Sequence, residues 1–427
     1  MTALTLSFLD RQMIAILVEP IKADLNISDT QIGLLQGLAF SMFYALMGLP
    51  IAKLADAKSR KNLVAGGIFL WSLMTCLSST ARNYTMLFLA RIGVGVGEAT
   101  LSPSTYSMLA DYFPKEKLSG AMSVFQLGIF FGAGVAFVFG GFLIGYLEGL
   151  DPATAPFFLR GEPWRIAFVI AGLPGIVLAL LIYFCVREPE RRASPGESAG
   201  DTSIIGTLKM LAAMRRSYWG LFGGFALHAI ALNALLAWLP TVFIRTFDYA
   251  PHEAATIVGL SMFVFGAAGA LSGGRLSDML FRRGSDSAPL VVGVIAALGT
   301  ALPLVLLMFG LLSKQAAPWV LGVCLYFTAF PAGPGPAAVQ LITPVRMRAK
   351  ASALYLITLG LVGLTLGPLL PPLVSDHILH DDQQLAMGLA VVCILVCAVS
   401  ATLFQLGRNG FKARYRELYI TEQPEPA

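Results

Sequence analysis

Twelve apolar runs separated by short polar breaks set the pattern of this chain, at residues 3–22, 30–52, 62–80, 84–110, 118–147, 164–186, 217–246, 253–275, 288–312, 317–343, 350–374 and 384–406. Each approaches or exceeds the ~20 residues that carry an α-helix across a bilayer. The alternating ~10-residue pattern of a membrane barrel is absent. A continuous apolar run satisfies its own backbone hydrogen bonds in lipid by coiling into a helix. The pattern predicts an all-α polytopic membrane protein with twelve transmembrane helices.

The longest polar interruption, Glu188 to Arg216, opens rich in charge, Pro, Gly and Ser and divides the spans six and six. It places an N-terminal six-helix bundle at 1–187, a cytoplasmic linker at 188–216 with a short surface helix near 203–214, a C-terminal six-helix bundle at 217–407 and a cytoplasmic tail at 408–427. The halves echo each other. Ala52-Lys-Leu-Ala-Asp56-Ala-Lys-Ser-Arg60-Lys61 follows span 2, and Gly274-Arg-Leu-Ser-Asp278-Met-Leu-Phe-Arg282-Arg283 follows span 8, 222 residues on. A small residue, an acid and a basic pair recurring at the same point of each half point to duplication and two pseudo-symmetric bundles.

Composition removes the soluble alternative: 56% of the 427 residues are hydrophobic, 13% are charged, 43 are glycine, and the mean hydropathy is +0.73. Cys76, Cys185, Cys324, Cys393 and Cys397 lie inside apolar runs with no C-x-x-C pairing, so they read as small core residues. No disulfide, metal or cofactor is expected. The first run carries Asp10 and Arg11 and lacks a small-residue cleavage site, so it is a span and not a cleaved signal. It opens so early that a cytoplasmic leader is expected to be missing ahead of it. Of the 30 Lys and Arg, 22 fall in the loops after even-numbered spans and in the tail, 6 fall on the opposite side, and Arg11 and Arg91 lie in the membrane. The positive-inside bias then puts both termini in the cytoplasm, in an inner or plasma membrane.

The candidate chemistry centres on span 4, where Arg91 to Asp111 is apolar yet carries Arg91 and Glu98. At ~100° per residue these two share one face, while Gly93 and Gly97 fall nearly opposite, spaced for close helix packing. An ionised side chain at mid-membrane costs ~2.5–3.5 kcal/mol, so both should face a polar cavity and not lipid. Asp10 and Arg11 of span 1 bring the sum of the four charges to zero. They are ~100° apart and cannot both meet one partner. If Asp10 faces Arg91, two carboxylates share one cation in a dry site, and one of them should hold a proton near neutral pH. In that reading Asp10, Arg91 and Glu98 couple protons to substrate: a carboxylate is protonated while substrate is absent, and Arg91 is freed for an anionic headgroup when it arrives, so proton and cargo compete. The plainer alternative is a charge lock between spans 1 and 4.

Arg11, Ser102 and Thr105 extend the polar strip, with Pro103 expected to bend span 4, and His228 and Asn233 of span 7 and Tyr355 of span 11 are second-half candidates for substrate contact. Pro331-Ala-Gly-Pro-Gly-Pro336 must interrupt span 10 and can serve as a gate. The second half carries almost no membrane charge and should present an apolar, aromatic wall, which suits an amphiphile. At the loop motifs, Asp56 with Arg60 and Asp278 with Arg282 are placed to gate the conformation through charge pairs and helix dipoles. Arg408 to Leu418 reads as an interfacial helix near anionic lipid headgroups, which makes nucleic acid an improbable partner.

Twelve spans in two sixes, cytoplasmic ends and the recurring loop motif together resemble the major facilitator superfamily. Phe8-Leu-Asp10-Arg11, Arg91-Ile-Gly-Val-Gly-Val-Gly-Glu98-Ala-Thr-Leu-Ser-Pro-Ser and Ala110-Asp-Tyr-Phe-Pro114 resemble its Spinster branch, whose animal members move sphingosine-1-phosphate or lysophospholipids. Ala52 and Ser59 depart from the glycines usual in the first loop motif. The resemblance implies two bundles rocking about a central cavity lined by spans 1, 4, 7 and 10. The leading reading is a monomeric secondary carrier, without enzyme activity, for a lysolipid-like or other amphiphilic anion, coupled to protons through the charged cluster. The alternatives are a carrier of a drug, sugar acid or small organic anion, and a non-transporting lipid sensor. No G-x-x-x-x-G-K-[ST] loop for direct ATP drive is present.

Overall fold

The computed structural model of the chain describes residues 1–112, 115–149, 162–189, 215–343 and 348–419. Among them it forms twelve helical spans. Span 1 is Thr2–Ile16 continued by Val18–Leu25, span 2 Asp29–Gln36 and Leu38–Ala57, span 3 Arg60–Ser78, span 4 Tyr84–Glu98 and Leu101–Tyr112, span 5 Lys115–Glu148 and span 6 Pro163–Cys185. Span 7 is Arg215–Phe247, span 8 Pro251–Ser261 and Ala267–Arg282, span 9 Ala288–Met308, span 10 Ala317–Ala329 and Pro334–Ile342, span 11 Arg348–Leu359 and Thr365–His377, and span 12 Leu385–Tyr419. Among the described residues seven helices are long and apolar enough to cross a membrane by length and composition alone. The fold class is the all-α, twelve-helix membrane bundle that the apolar pattern predicts.

The breaks have local causes. A proline has no N–H to offer the carbonyl four residues back, and its ring crowds that carbonyl. Pro20 acts in this way on Ile16, where the first piece of span 1 ends, and Pro103 on Ala99, beside the break in span 4. The expected bend in span 4 therefore falls ahead of the proline. Span 10 tightens to a 3₁₀ turn at Phe330–Ala332 and restarts at Pro334. Spans 8 and 11 instead widen into single π-turns at Met262–Gly266 and Gly360–Leu364.

The chain divides into two compact units: Met1–Ser194 with Leu236–Phe263 and Pro368–Leu385, and Pro195–Leu235 with Val264–Gly367 and Ala386–Ala427. In the first, span 5 seats span 1 almost backbone to backbone: a Cβ at Gly132 would lie 2.7 Å from the Thr5 carbonyl oxygen. In the second, Phe225 and Phe404 meet at 4.6 Å between ring centroids, inside a core that also holds Tyr218 and Tyr355. Linker residues 190–214, including the expected surface helix, and tail residues 420–427 lie outside the described residues. The described part of the tail continues the span 12 helix to Tyr419.

Candidate functional site

Ser7 and Arg11 stand one turn apart on span 1 and share the face toward span 4. Both donate to the same oxygen of Glu98, Ser7 Oγ at 2.7 Å and an Arg11 terminal nitrogen at 2.5 Å. Asp10 turns away: Thr75 Oγ1 of span 3 donates to its Oδ2 at 3.0 Å. The divergence of Asp10 and Arg11 follows from their spacing, but their partners are exchanged relative to the expectation. It is Arg11 that meets span 4, and Asp10 that meets span 3. Side-chain length explains this. The Arg11 guanidinium lies over Phe8 and Phe40, at 4.6 and 4.3 Å from the ring centroids, on its way to Glu98. A carboxylate on one methylene binds the helix it abuts.

Arg91 is fully buried, and none of its three side-chain nitrogens has a hydrogen-bond partner among the described residues. It interacts electrostatically with Glu98, Asp10 and Arg11. Glu98 Oε1 and Asp10 Oδ1 are likewise buried without a hydrogen-bond partner among the described residues. Two carboxylates and two guanidinium groups thus lie within electrostatic reach, with unspent donors and acceptors on both signs. Span 4 is held in place by its glycine face, as the spacing predicts. A Cβ at Gly97 would lie 2.8 Å from the Trp71 backbone nitrogen and 2.9 Å from the Gly67 carbonyl oxygen of span 3.

The remaining predicted residues are dispersed. Ser102 and Thr105 sit half-buried beyond the break in span 4. In the second unit His228 Nε2 lies 3.3 Å from the Thr328 carbonyl, and Asn233 donates at 2.8 Å to Ala229 in its own helix. Tyr355 is buried edge-on against Phe222 and Phe225. The side chain of Asp56 lies outside the described residues, and Asp278 and Arg282 are exposed. Arg60 turns inward instead of staying in its loop, giving Nε to Glu188 at 3.0 Å and NH1 to Ser107 at 2.9 Å and to Asp111. Glu188 also accepts from Ser59 Oγ at 2.7 Å and the Lys61 backbone N–H at 2.8 Å, which closes the open start of span 3. Burial pushes the Glu188 carboxyl up, but these donors outweigh it and hold it below its ordinary value.

A further ion cluster, at the ends of spans 1 and 7 and the start of span 2, was missing from the sequence argument. Ser28 and Gln31 form a reciprocal capping box, with Gln31 N–H donating to Ser28 Oγ at 3.2 Å and Ser28 N–H to Gln31 Oε1 at 2.9 Å. The box starts span 2 and sets Asp29 in its first turn, where negative charge is favoured. Arg245, near the end of span 7, binds Asp29 and Glu19, and Lys22 adds a second cation to Asp29 at 2.7 Å. Thr30 donates N–H and Oγ1 to Asp376 of span 11 at 2.9 and 2.7 Å. The cluster edges an open pocket of about 560 Å³ that His380 and Asp381 also line. Two signals pointed here: the S-x-x-Q box, and Arg245 as one of the six basic residues on the minority side. Among the described residues no His, Cys, Asp or Glu group is arranged to hold a metal.

Helical spans that bury an incompletely bonded ion cluster define a polytopic membrane transporter. The signature described as Major Facilitator Superfamily matches residues 1–368. The chain belongs to the Major Facilitator Superfamily, is similar to members of its Spinster branch, and is a carrier of a small molecule, not an enzyme. It is 30% identical over 98% of its length to an MFS-type efflux pump of Mycolicibacterium smegmatis, covering 92% of that protein. It is 27% identical over 93% of its length to the sphingosine-1-phosphate transporter SPNS2 of Danio rerio, covering 81% of it. Its fold matches the crystal structure of a bacterial homolog of the human lysosomal transporter Spinster with a TM-score of 0.78 and 23% identity, covering 100% of this chain and 97% of the other.

Proposed function

We propose that this chain is a proton-coupled secondary carrier of an amphiphilic anion, working by alternating access between its two six-helix halves with both termini cytoplasmic. The observation that carries the reading is the pairing of Arg11 with Glu98 beside an Arg91 that has no hydrogen bond. Arg11 keeps 14% of its side chain exposed and Arg91 none, so the headgroup-binding role expected of Arg91 passes to Arg11. A proton on Glu98 takes away the counter-charge of Arg11, which is then free for a phosphate or carboxylate. Proton and anion favour each other in this arrangement, where the sequence argument had them compete. Arg91 supplies a fixed positive field that retains the anion while two cations face one remaining carboxylate.

The kinship with the zebrafish sphingosine-1-phosphate transporter favours a lysolipid-like cargo. The similarity to the mycobacterial efflux pump favours a second reading, export of a drug through the same proton site. The test is uptake into proteoliposomes under an imposed pH gradient, with labelled lysophospholipid, a sugar acid and a cationic dye as separate cargoes. Lysophospholipid accumulation toward the alkaline side, abolished by an uncoupler, is expected. Gradient-driven movement of the dye alone supports the efflux reading, and transport of every cargo unaffected by the gradient overturns proton coupling.

A further inference from the structure

Hydroxyl residues at the end of span 3 and just beyond it bond differently from Thr75 inside it. Ser78 donates to the Met74 carbonyl at 2.9 Å, Ser79 to Cys76 at 2.6 Å and Thr80 to Leu77 at 2.8 Å, the backward bond that Ser and Thr ordinarily make within a helix. Thr75 forgoes that bond and reaches across to Asp10 of span 1. Both residues are buried, at 0% and 2% exposure, so the hydroxyl and the carboxylate meet without competition from bulk water. The second carboxylate oxygen, Oδ1, has no hydrogen-bond partner among the described residues.

We propose that Thr75 is a positioning residue for a proton on Asp10, holding Oδ2 as the accepting oxygen so that the proton is taken and given at Oδ1. The inference rests on the reading of the chain as a proton-coupled carrier. In the ionised state the Thr75 O–H donates to a full carboxylate, and the bond is charge-assisted. A proton arriving from water forms the O–H bond at Oδ1, Oδ2 becomes the carbonyl oxygen of a neutral acid, and Thr75 continues to donate to it as a weaker neutral bond. The bond therefore survives both states, fixes the carboxyl plane between spans 1 and 3, and favours release of the proton over its retention.

The groups facing Asp10 on the elements around it are few. Span 4 brings Glu98 and Arg91, and span 3 brings Cys76 beside Thr75. Glu98 is committed to Ser7 and Arg11, and the Cys76 thiol points to the Val169 carbonyl of span 6 at 3.9 Å. Span 5 meets span 1 through Gly128, Gly132 and Gly140, which bring no polar side chain. Thr75 is the hydrogen-bond donor that Asp10 has among the described residues.

The test is an infrared titration of the solubilised full-length chain, which needs no cargo. The protonated carboxyl band of Asp10 is assigned by its loss in Asp10→Asn. Thr75→Val, which keeps the shape and removes the hydroxyl, should raise the midpoint of that band by about one pH unit, a tenfold gain in proton affinity. Thr75→Ser should restore it. A carboxyl band that titrates normally in Thr75→Val overturns the role of Thr75 and leaves proton coupling standing. The absence of any band lost in Asp10→Asn overturns a proton on Asp10, and with it the role of Thr75, and leaves coupling through Glu98 standing. Should Thr75→Val fail to fold, the wild-type band decides: an acid carbonyl stretch at the hydrogen-bonded position supports the contact, and one at the free position overturns it.

Discussion

Arg245 binds Asp29 with two parallel hydrogen bonds, NH1 to Oδ2 at 2.6 Å and NH2 to Oδ1 at 3.0 Å, while its Nε binds Glu19 at 2.6 Å. A planar fork meeting a fully buried carboxylate is a geometry that lysine cannot reproduce. The contact ties the end of span 7 to the start of span 2, and Thr30 ties the same turn to span 11. In the alternating-access reading, opening on this side breaks it. Arg245→Ala should cost about 3 kcal/mol by leaving Asp29 with Lys22 alone, roughly a hundredfold in the opening equilibrium. Arg245→Lys should recover part of this. A cysteine at Ala255, buried where span 8 meets Gly141, is the reporter. Its alkylation rate should rise in Arg245→Ala, and an unchanged rate dismisses the latch.

The glycine face of span 4 makes a sharper prediction because it has an internal control. A Cβ at Gly97 would press on the backbone of Trp71 and Gly67, neither of which can swing aside. Gly97→Ala should destabilise the chain by about 1–3 kcal/mol, read as a lower melting temperature in detergent. Gly66, one residue from the contact, has nothing within 4 Å of its added Cβ. Gly66→Ala should leave melting unchanged or raise it slightly through helix propensity. Equal losses in the two variants would show that packing against span 3 is not what the glycine serves.

These particular residues show what was legible in the sequence. The spans were legible because a bilayer imposes one length on every apolar run, and the Gly93 and Gly97 face because helical geometry fixes which residues share a side. The neutrality of the ion cluster could be summed from composition. Its pairing could not, because angular position places a side chain on a face and does not say how far it reaches. Arg11 crosses two aromatic rings to find Glu98, and Asp10 stops at span 3. Thr75 and Ser7 look like ordinary small polar residues until the neighbouring helix is in place. Arg60 was grouped with Asp56, whose side chain lies outside the described residues; among the described residues its partners Asp111 and Glu188 lie 51 and 128 positions away. Long-range partners of this kind carry no periodic signal.

Glu188 gives a pH dependence whose sign can be worked out. Its carboxyl is held below its ordinary value of 4.5 when the chain is folded. A depressed folded value means that the ionised form is favoured by folding, so its contribution is complete above the unfolded value and disappears as pH falls through the folded one. Glu188→Gln should therefore melt below wild type at neutral pH. The gap should hold down to about pH 4.5 and close beneath it. A gap that persists at lower pH, or widens, would mean that the contact with Arg60, Lys61 and Ser59 does not depend on charge.

Glu98→Gln tests the step on which the transport reading turns. The amide keeps an oxygen for Ser7 but offers Arg11 no counter-charge, so the four-residue cluster changes from neutral to one net positive charge. That is the charge state a protonated Glu98 would create, made permanent. Wild-type affinity for a labelled lysophospholipid should weaken as pH rises. The variant should bind as tightly as acidified wild type at every pH, and should no longer accumulate cargo in response to a gradient. Tight binding without coupled transport separates the anion site from the proton site. If binding by wild type and variant proves equally indifferent to pH, Arg11 is a structural strut on Glu98 and the coupling must be sought elsewhere in the chain.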